Sequence, residues 1–123
     1  MTVNVELLRR VHAFVRAHPE NYEQQVWGFG LRRPVVNGEP PCGSRACIAG
    51  WTCALEGWQV SGAVALRGGE RRLVPEVAAE LLGLSDDQRL VLFSSDLPDD
   101  QLDPLVDAIC NGEDGDSLWR FLL

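Results

Sequence analysis

Four cysteines and two histidines are the side chains of this 123-residue chain best suited to chemistry. Three of the cysteines fall within one twelve-residue run: Cys42-Gly43-Ser44-Arg45-Ala46-Cys47-Ile48-Ala49-Gly50-Trp51-Thr52-Cys53. Thiols at this density are typical of a metal site, a disulfide, a reactive nucleophile or a tightly packed helix. The spacing alone leaves these four interpretations open.

Cys47 is the strongest candidate nucleophile in this run. If Ser44 is the N-cap of a helix that continues to about Glu56, Cys47 falls in its first turn. The helix dipole and the free backbone amides there would lower the pKa of the thiol. His18 is the candidate base, and Cys42, in the preceding loop, is the candidate partner for a reversible disulfide.

Gly50, Trp51 and Arg45 are candidates for a pocket beside Cys47. Gly50 would let a ligand or a neighbouring helix approach closely, and Trp51 would wall the space. The same residues also describe a helix packed tightly in the core. We favour the packed interpretation, because free cysteine is among the most buried residue types.

A zinc site would need four ligands, and the best set is His12 or His18 with Cys42 and Cys47. The Cys-x4-Cys spacing is loose for a zinc knuckle, so we expect no metal and no cofactor. No complete catalytic constellation can be assembled from the sequence. The sequence therefore leaves enzymatic activity open and favours a non-enzymatic protein.

Charge divides the chain into two unequal halves. Residues 1–73 carry nine arginines and six acids, whereas residues 74–123 carry two arginines and twelve acids. Excess acidic residues of this kind usually form a solvated face. The alternative interpretation is a docking face for a basic protein partner. The net charge of −7 argues against nucleic-acid binding.

Length and hydropathy predict a single globular domain, 1–123, with no membrane association. The amino-terminal residues lack the apolar stretch of a secretory signal, so a cytoplasmic location is expected. The sequence leaves the oligomeric state open.

Apolar periodicity and capping signals predict a mainly α fold, a compact bundle of six or seven short helices with one small β-hairpin near 63–74. The first predicted helix begins at Thr2 or Asn4 and ends near His18. The others are Glu20–Trp27, Ser44–Glu56, Pro75–Leu82, a helix from the capping box at Ser85 to Phe93, a helix capped by Asp103, and Leu118–Leu122.

Three segments carry a resemblance that spans about residues 7–93: His18-Pro19-Glu20 with Trp27, the run from Cys42 to Trp51, and Ala79 to Leu84 followed by Leu92-Phe93. They resemble a group of small uncharacterised proteins of actinobacteria and their phages, with a Cys-Gly-Thr-x-x-Cys-x-Ala-Gly-Trp motif. Ser44 replaces the usual threonine. The resemblance implies a bacterial or phage origin and marks Cys42, Cys47, Gly50 and Trp51 as the signature, without supplying a mechanism.

The leading hypothesis is a non-enzymatic protein-interaction or accessory module, which binds a protein partner through the acidic carboxy-terminal half. The alternative is a thiol-dependent enzyme or redox protein, with Cys47 as nucleophile, His18 or His12 as base and Cys42 as resolving thiol. A His/Cys metal site is the third hypothesis.

Overall fold

Five α-helices, two 3-10 helices and one three-stranded antiparallel sheet make up the computed structural model, which describes residues 2–123. The helices are α1 (Val5–Ala17), α2 (Ile48–Leu55), α3 (Val74–Leu82), α4 (Asp86–Leu92) and α5 (Asp99–Cys110), and the 3-10 helices are Pro19–Asn21 and Asp116–Leu122. The strands are β1 (Gln59–Ser61), β2 (Val64–Arg67) and β3 (Glu70–Leu73), in the order β1-β2-β3. The prediction of a mainly α bundle is wrong, because the sheet makes this a mixed α/β fold.

The sheet has one strand more than the predicted hairpin. The extra strand, β1, was not predicted because it has no recognisable sequence pattern. Strands β2 and β3 flank Gly68 and Gly69, whose φ angles of 57° and 82° suit glycine and close the turn. Strand β1 has three residues and only Val60 is buried, so it is too short to show the alternation of apolar and polar residues that predicts a strand. Its place is fixed by pairing with β2 on one side and with Leu31 on the other.

Helix α1 forms as its sequence predicts. The Asn4 side chain accepts a hydrogen bond from the Leu7 amide at 3.1 Å, which satisfies one of the free amides at the helix start. Its buried stripe follows helical spacing: Leu7, Leu8, Val11 and Val15.

The helix predicted over Glu20–Trp27 is wrong. Only a 3-10 turn, Pro19–Asn21, forms there, and the chain then runs irregularly. Its backbone groups bond outside the segment: the Ala46 amide donates to the Asn21 carbonyl and the Glu23 amide to the Ala46 carbonyl. These tertiary bonds replace the hydrogen bonds that a helix would have made.

The capping box at the start of α4 is confirmed, since Ser85 and Gln88 each bond to the other's backbone amide. Helix α5 begins earlier than predicted, at Asp99 instead of after Asp103. Pro104 therefore lies inside the helix, where it cannot donate the usual backbone hydrogen bond.

The buried apolar side chains form one cluster, and α2 lies at its centre. Residues Ile48–Cys53 are all buried, and Trp51 is the largest of the fully buried side chains. Helices α1 and α3 pack against α2. No helix within residues 2–123 has the length and apolar character needed to cross a bilayer.

Helices α1 and α5 are joined at the surface by paired charges. Arg16 lies 2.7 Å from Asp103 and 3.1 Å from Asp99, and the His12 Nε2 atom lies 2.5 Å from the same Asp103 oxygen that Arg16 contacts. Hydrogen bonds from His12 and then from Arg16 lower the pKa of Asp103, because both favour its charged form.

We expect the protein to lose less stability at acid pH when Asp103 is replaced by asparagine (Asp103→Asn). A carboxylate whose pKa is lowered in the folded state stabilises the fold above its unfolded pKa of about 3.9, and this contribution disappears as the pH falls through the lower folded value. The unfolding temperature of the wild-type protein should therefore fall more steeply below about pH 4 than that of the variant. The difference should be a few degrees, because exposed ion pairs contribute less than about 1 kcal/mol. Parallel melting curves in both proteins would contradict it.

Candidate functional site

Cys47 is buried at the amino-terminal end of α2. The helix begins at Ile48, so Cys47 itself is the N-cap and Ser44 is not, contrary to prediction. Ser44 is also buried, and its hydroxyl donates to the Pro41 carbonyl at 2.6 Å. Residues before Cys47 stay extended because Ala46 and Arg45 form bridges with other segments.

Burial decides the protonation of the Cys47 thiol. Desolvation raises its pKa to about 11, against the opposing effect of the Gly50 and Ala49 amides. The predicted helix-start effect is therefore present but smaller than the cost of placing a thiolate in the core. Cys53, also buried, has a pKa raised by desolvation to about 12. Both thiols are protonated at neutral pH.

The two histidines face different surroundings. His18 follows the last residue of α1, and its ring lies 4.6 Å, between centroids, from Phe14, which packs in turn 4.9 Å from Trp51. His12 contacts Asp103. Among the hydrogen bonds of residues 2–123, none joins either histidine to Cys47. A catalytic role for Cys47 and His18 stays a prediction without a supporting contact.

Cys42 differs from Cys47 in lying exposed in the loop before α2. Its carbonyl accepts a hydrogen bond from Arg33 at 3.3 Å. All four cysteines are free thiols in the structure. Within residues 2–123, no group of three or more His, Cys, Asp or Glu side chains is arranged to hold a metal ion.

The predicted pocket residues do not surround one space. Gly50 lies against the protein's own backbone: a Cβ atom there would come within 1.8 Å of the Trp27 carbonyl oxygen. Trp51 is fully buried and its indole donates to the Asn21 carbonyl at 2.9 Å. Arg45 is exposed, with its guanidinium 5.3 Å from the centre of the Phe29 ring. The motif Cys47 to Trp51 therefore supports the fold.

Asn21 is a structural residue that sequence analysis missed. Its buried side chain donates to the Ser44 carbonyl at 2.8 Å, and its own carbonyl accepts from Ala46 and Trp51. These bonds hold the segment after α1 against the cysteine run. No local sequence pattern indicates this role, because an asparagine two residues after a proline is also typical of an exposed turn.

An open groove of about 550 Å³ lies between the segment before Gly28, the start of α3, helix α4 and the last 3-10 helix. We call it the apolar groove; its walls are Trp27, Pro75, Arg89, Leu90, Phe93, Ser94, Ser95, Trp119 and Leu122. Leu90 is 52% exposed and Trp119 is 40% exposed. Two large apolar side chains in one groove form the kind of surface that binding sites use.

One acidic side chain contacts a wall residue of the apolar groove, and two others are next to wall residues in the sequence. The Asp87 carboxylate accepts a hydrogen bond from the Trp119 indole at 3.2 Å, Glu76 follows Pro75, and Asp96 follows Ser95. Within residues 2–123, none of these three carboxylates makes an ion pair with an arginine. Asp87 therefore places a negative charge beside the groove, and Arg89 is the cation among the groove's own residues.

We expect Cys42 to react first with a thiol reagent such as Ellman's reagent at pH 8, because it is exposed. Cys47 and Cys53 should react only after unfolding in guanidinium, since both are buried with raised pKa values. Half-buried Cys110 should react at an intermediate rate. The control is Cys42→Ser, which should remove the fast phase. Modification of Cys47 in the native protein below pH 7 would support the thiol-enzyme hypothesis instead.

Gly50→Ala should destabilise the protein by at least about 2 kcal/mol, because the added methyl meets the Trp27 backbone, which cannot move without disturbing the core. Gly38→Ala is the matched control. Its new methyl would have nothing within 4 Å, so only the left-handed backbone at φ 75° adds a cost of about 1 kcal/mol. Equal losses in urea unfolding would show that the close approach at Gly50 is unimportant.

Comparison with known proteins gives no functional assignment for this site. No protein-family model, no curated protein and no solved structure matches the chain. The resemblance to the actinobacterial and phage group therefore stays a prediction that rests on the motif itself.

Proposed function

We propose that this protein is a non-enzymatic interaction module that binds a basic protein segment through its acidic carboxy-terminal half. The apolar groove is the docking site in this proposal. The observation that carries it is the exposure of Leu90 and Trp119 in a groove of about 550 Å³. The proposal keeps the cytoplasmic location expected from the sequence.

The size and lining of the groove favour a peptide-like partner. A volume of about 550 Å³ accommodates a few large apolar side chains. Such anchors supply most of the binding energy in protein interfaces when they are desolvated in a pocket. An amphipathic helix, which presents residues one turn apart along a single face, suits an open groove of this kind.

Charge selects the sign of the partner. The Asp87 carboxylate lies beside the groove, where it bonds to Trp119, and Glu76 and Asp96 are next to wall residues in the sequence. Many other acids of this half are already paired, as Asp99 and Asp103 are with Arg16. Lysine or arginine residues beside the apolar anchors would meet these unpaired carboxylates. Complementary charge of this kind accelerates association and excludes acidic competitors.

The thiol and metal hypotheses receive less support. Cys47 is buried with a pKa of about 11, which leaves little thiolate at neutral pH. Cys42 is accessible, but a single exposed thiol carries no catalytic argument by itself. The interaction proposal instead draws on a surface that is open to a partner.

A pair of designed helical peptides tests the proposal. Both carry leucine and phenylalanine on one face, and the other face carries lysine in the probe and glutamate in the control. We expect the lysine peptide to bind and to change the fluorescence of the groove tryptophans, whereas the glutamate peptide should not bind.

Leu90→Asp should weaken the binding of the lysine peptide about tenfold or more, which corresponds to the loss of about 1.4 kcal/mol of apolar contact. The new aspartate adds charge that attracts the peptide, so weaker binding by a variant with an unchanged circular dichroism spectrum reflects the lost apolar surface. The matched control, Val36→Asp, changes an exposed residue outside the groove and should bind normally. Unchanged affinity in Leu90→Asp, or equal binding of the two peptides, would refute the proposal.

A further inference from the structure

The arginines of this chain are paired very unevenly. Six of the eleven lie within ion-pair distance of a carboxylate: Arg9, Arg10, Arg16, Arg72, Arg89 and Arg120. Within residues 2–123, the other five make no ion pair, and all of them lie between residues 32 and 71: Arg32, Arg33, Arg45, Arg67 and Arg71. The unpaired positive charge is thus confined to the loop before α2 and to the sheet.

Three of these arginines lie near one exposed aromatic ring, that of Phe29: Arg45 is over the ring, and Arg32 and Arg33 line the same groove. Backbone hydrogen bonds of 2.8 and 2.9 Å join Phe29 and Arg45 in an antiparallel bridge, and the Arg45 guanidinium lies 5.3 Å from the ring centre. Phe29 is nevertheless 58% exposed. Arg32 and Arg33 line a shallow groove of about 300 Å³ together with Phe29. We call these four residues the arginine surface.

The sheet holds the arginine surface in place. The Val60 amide donates to the Leu31 carbonyl at 3.1 Å, and the Gly62 amide donates to the Gly28 carbonyl at 3.1 Å. The loop therefore follows the edge of β1, and Ser61 and Gly62 complete the groove. Phe29 and Arg45 are held by their own backbone hydrogen bonds, so little backbone conformational entropy would be lost at these two residues when a ligand binds.

The local charge is opposite to that of the whole protein. Residues 28–45 contain three arginines and one glutamate, in a chain whose net charge is −7. The expectation that nucleic acid would not bind used the whole-chain charge, which the structure distributes unevenly. What matters for a bound anion is the charge within a Debye length, about 8 Å at physiological salt.

We infer that the arginine surface binds single-stranded nucleic acid, with a base stacked on Phe29 and the neighbouring phosphates held by Arg32, Arg33 and Arg45. Exposed aromatic rings and arginines in a positive groove are the combination that single-strand binding uses. Arginine guanidinium groups bind phosphate in a bidentate manner and also stack on bases. An acidic peptide would use the arginines but would leave the Phe29 ring without a role.

Fluorescence anisotropy with a labelled ten-nucleotide oligothymidylate tests the inference. We expect binding at low salt, with a logarithmic salt dependence of about 0.7 for each phosphate contacted. The duplex of the same length and a labelled poly-glutamate peptide should both bind more weakly. Equal binding of poly-glutamate would identify the surface as a site for acidic proteins and would overturn the inference, as would the absence of oligothymidylate binding.

Substitutions separate stacking from charge. Phe29→Leu removes the aromatic face but keeps an apolar side chain, and it should lower affinity about tenfold, whereas Phe29→Trp should retain binding. Arg32→Ala/Arg33→Ala should reduce the salt slope by about 1.4, as expected for the loss of two phosphate contacts.

The control is Arg9→Ala, which removes one positive charge from the α1–α5 side, where Arg9 pairs with Asp107, and it should bind normally. Circular dichroism checks that each variant is folded. Affinity that is insensitive to Phe29→Leu, or that falls equally in Arg9→Ala, would show nonspecific attraction and would overturn the inference.

Discussion

The hydrogen bonds of Asn21 are the constraint on which the rest of this structure depends. The Asn21 side chain and carbonyl together bond to Ser44, Ala46 and Trp51, and so tie the segment after α1 to the start of α2. Because the segment after α1 and the segment before α2 are both irregular, few other backbone partners are available to them in the core. The packing of Gly50 against Trp27 needs the same alignment.

This arrangement leaves the buried cysteines Cys47 and Cys53 outside both proposed binding surfaces. Packing α2 at the centre of the core buries Cys47 and raises its pKa, since the cost of desolvating a thiolate exceeds the stabilisation that three backbone amides supply. The segment held by Asn21 then emerges with Trp27 in the wall of the apolar groove and, two residues later, with Phe29 in the arginine surface. The buried hydrogen bonds of Asn21 therefore help to position residues of both proposed binding surfaces.

Local signals were sufficient wherever an element is stabilised by its own residues. The Asn4 cap and the apolar stripe of α1, the Ser85 capping box of α4 and the Gly68-Gly69 turn could all be predicted from the sequence. Local signals failed where a segment is stabilised by hydrogen bonds to residues distant in the chain. The segment after Asn21 resembles a helix by periodicity but bonds to residues 44–47, and β1 is a strand only because β2 and Leu31 lie beside it.

The sequence by itself determined the residue types: a cluster of thiols, an acidic carboxy-terminal half and arginines without lysines. The tertiary structure decided which of them are accessible. Cys47, Gly50 and Trp51 are in the core, whereas Arg45, adjacent in the same run, is on the surface. Accessibility depends on which segments cover a residue, and the groove walls come from four separate parts of the chain. Contacts between such distant segments depend on long-range packing, which local periodicity does not record.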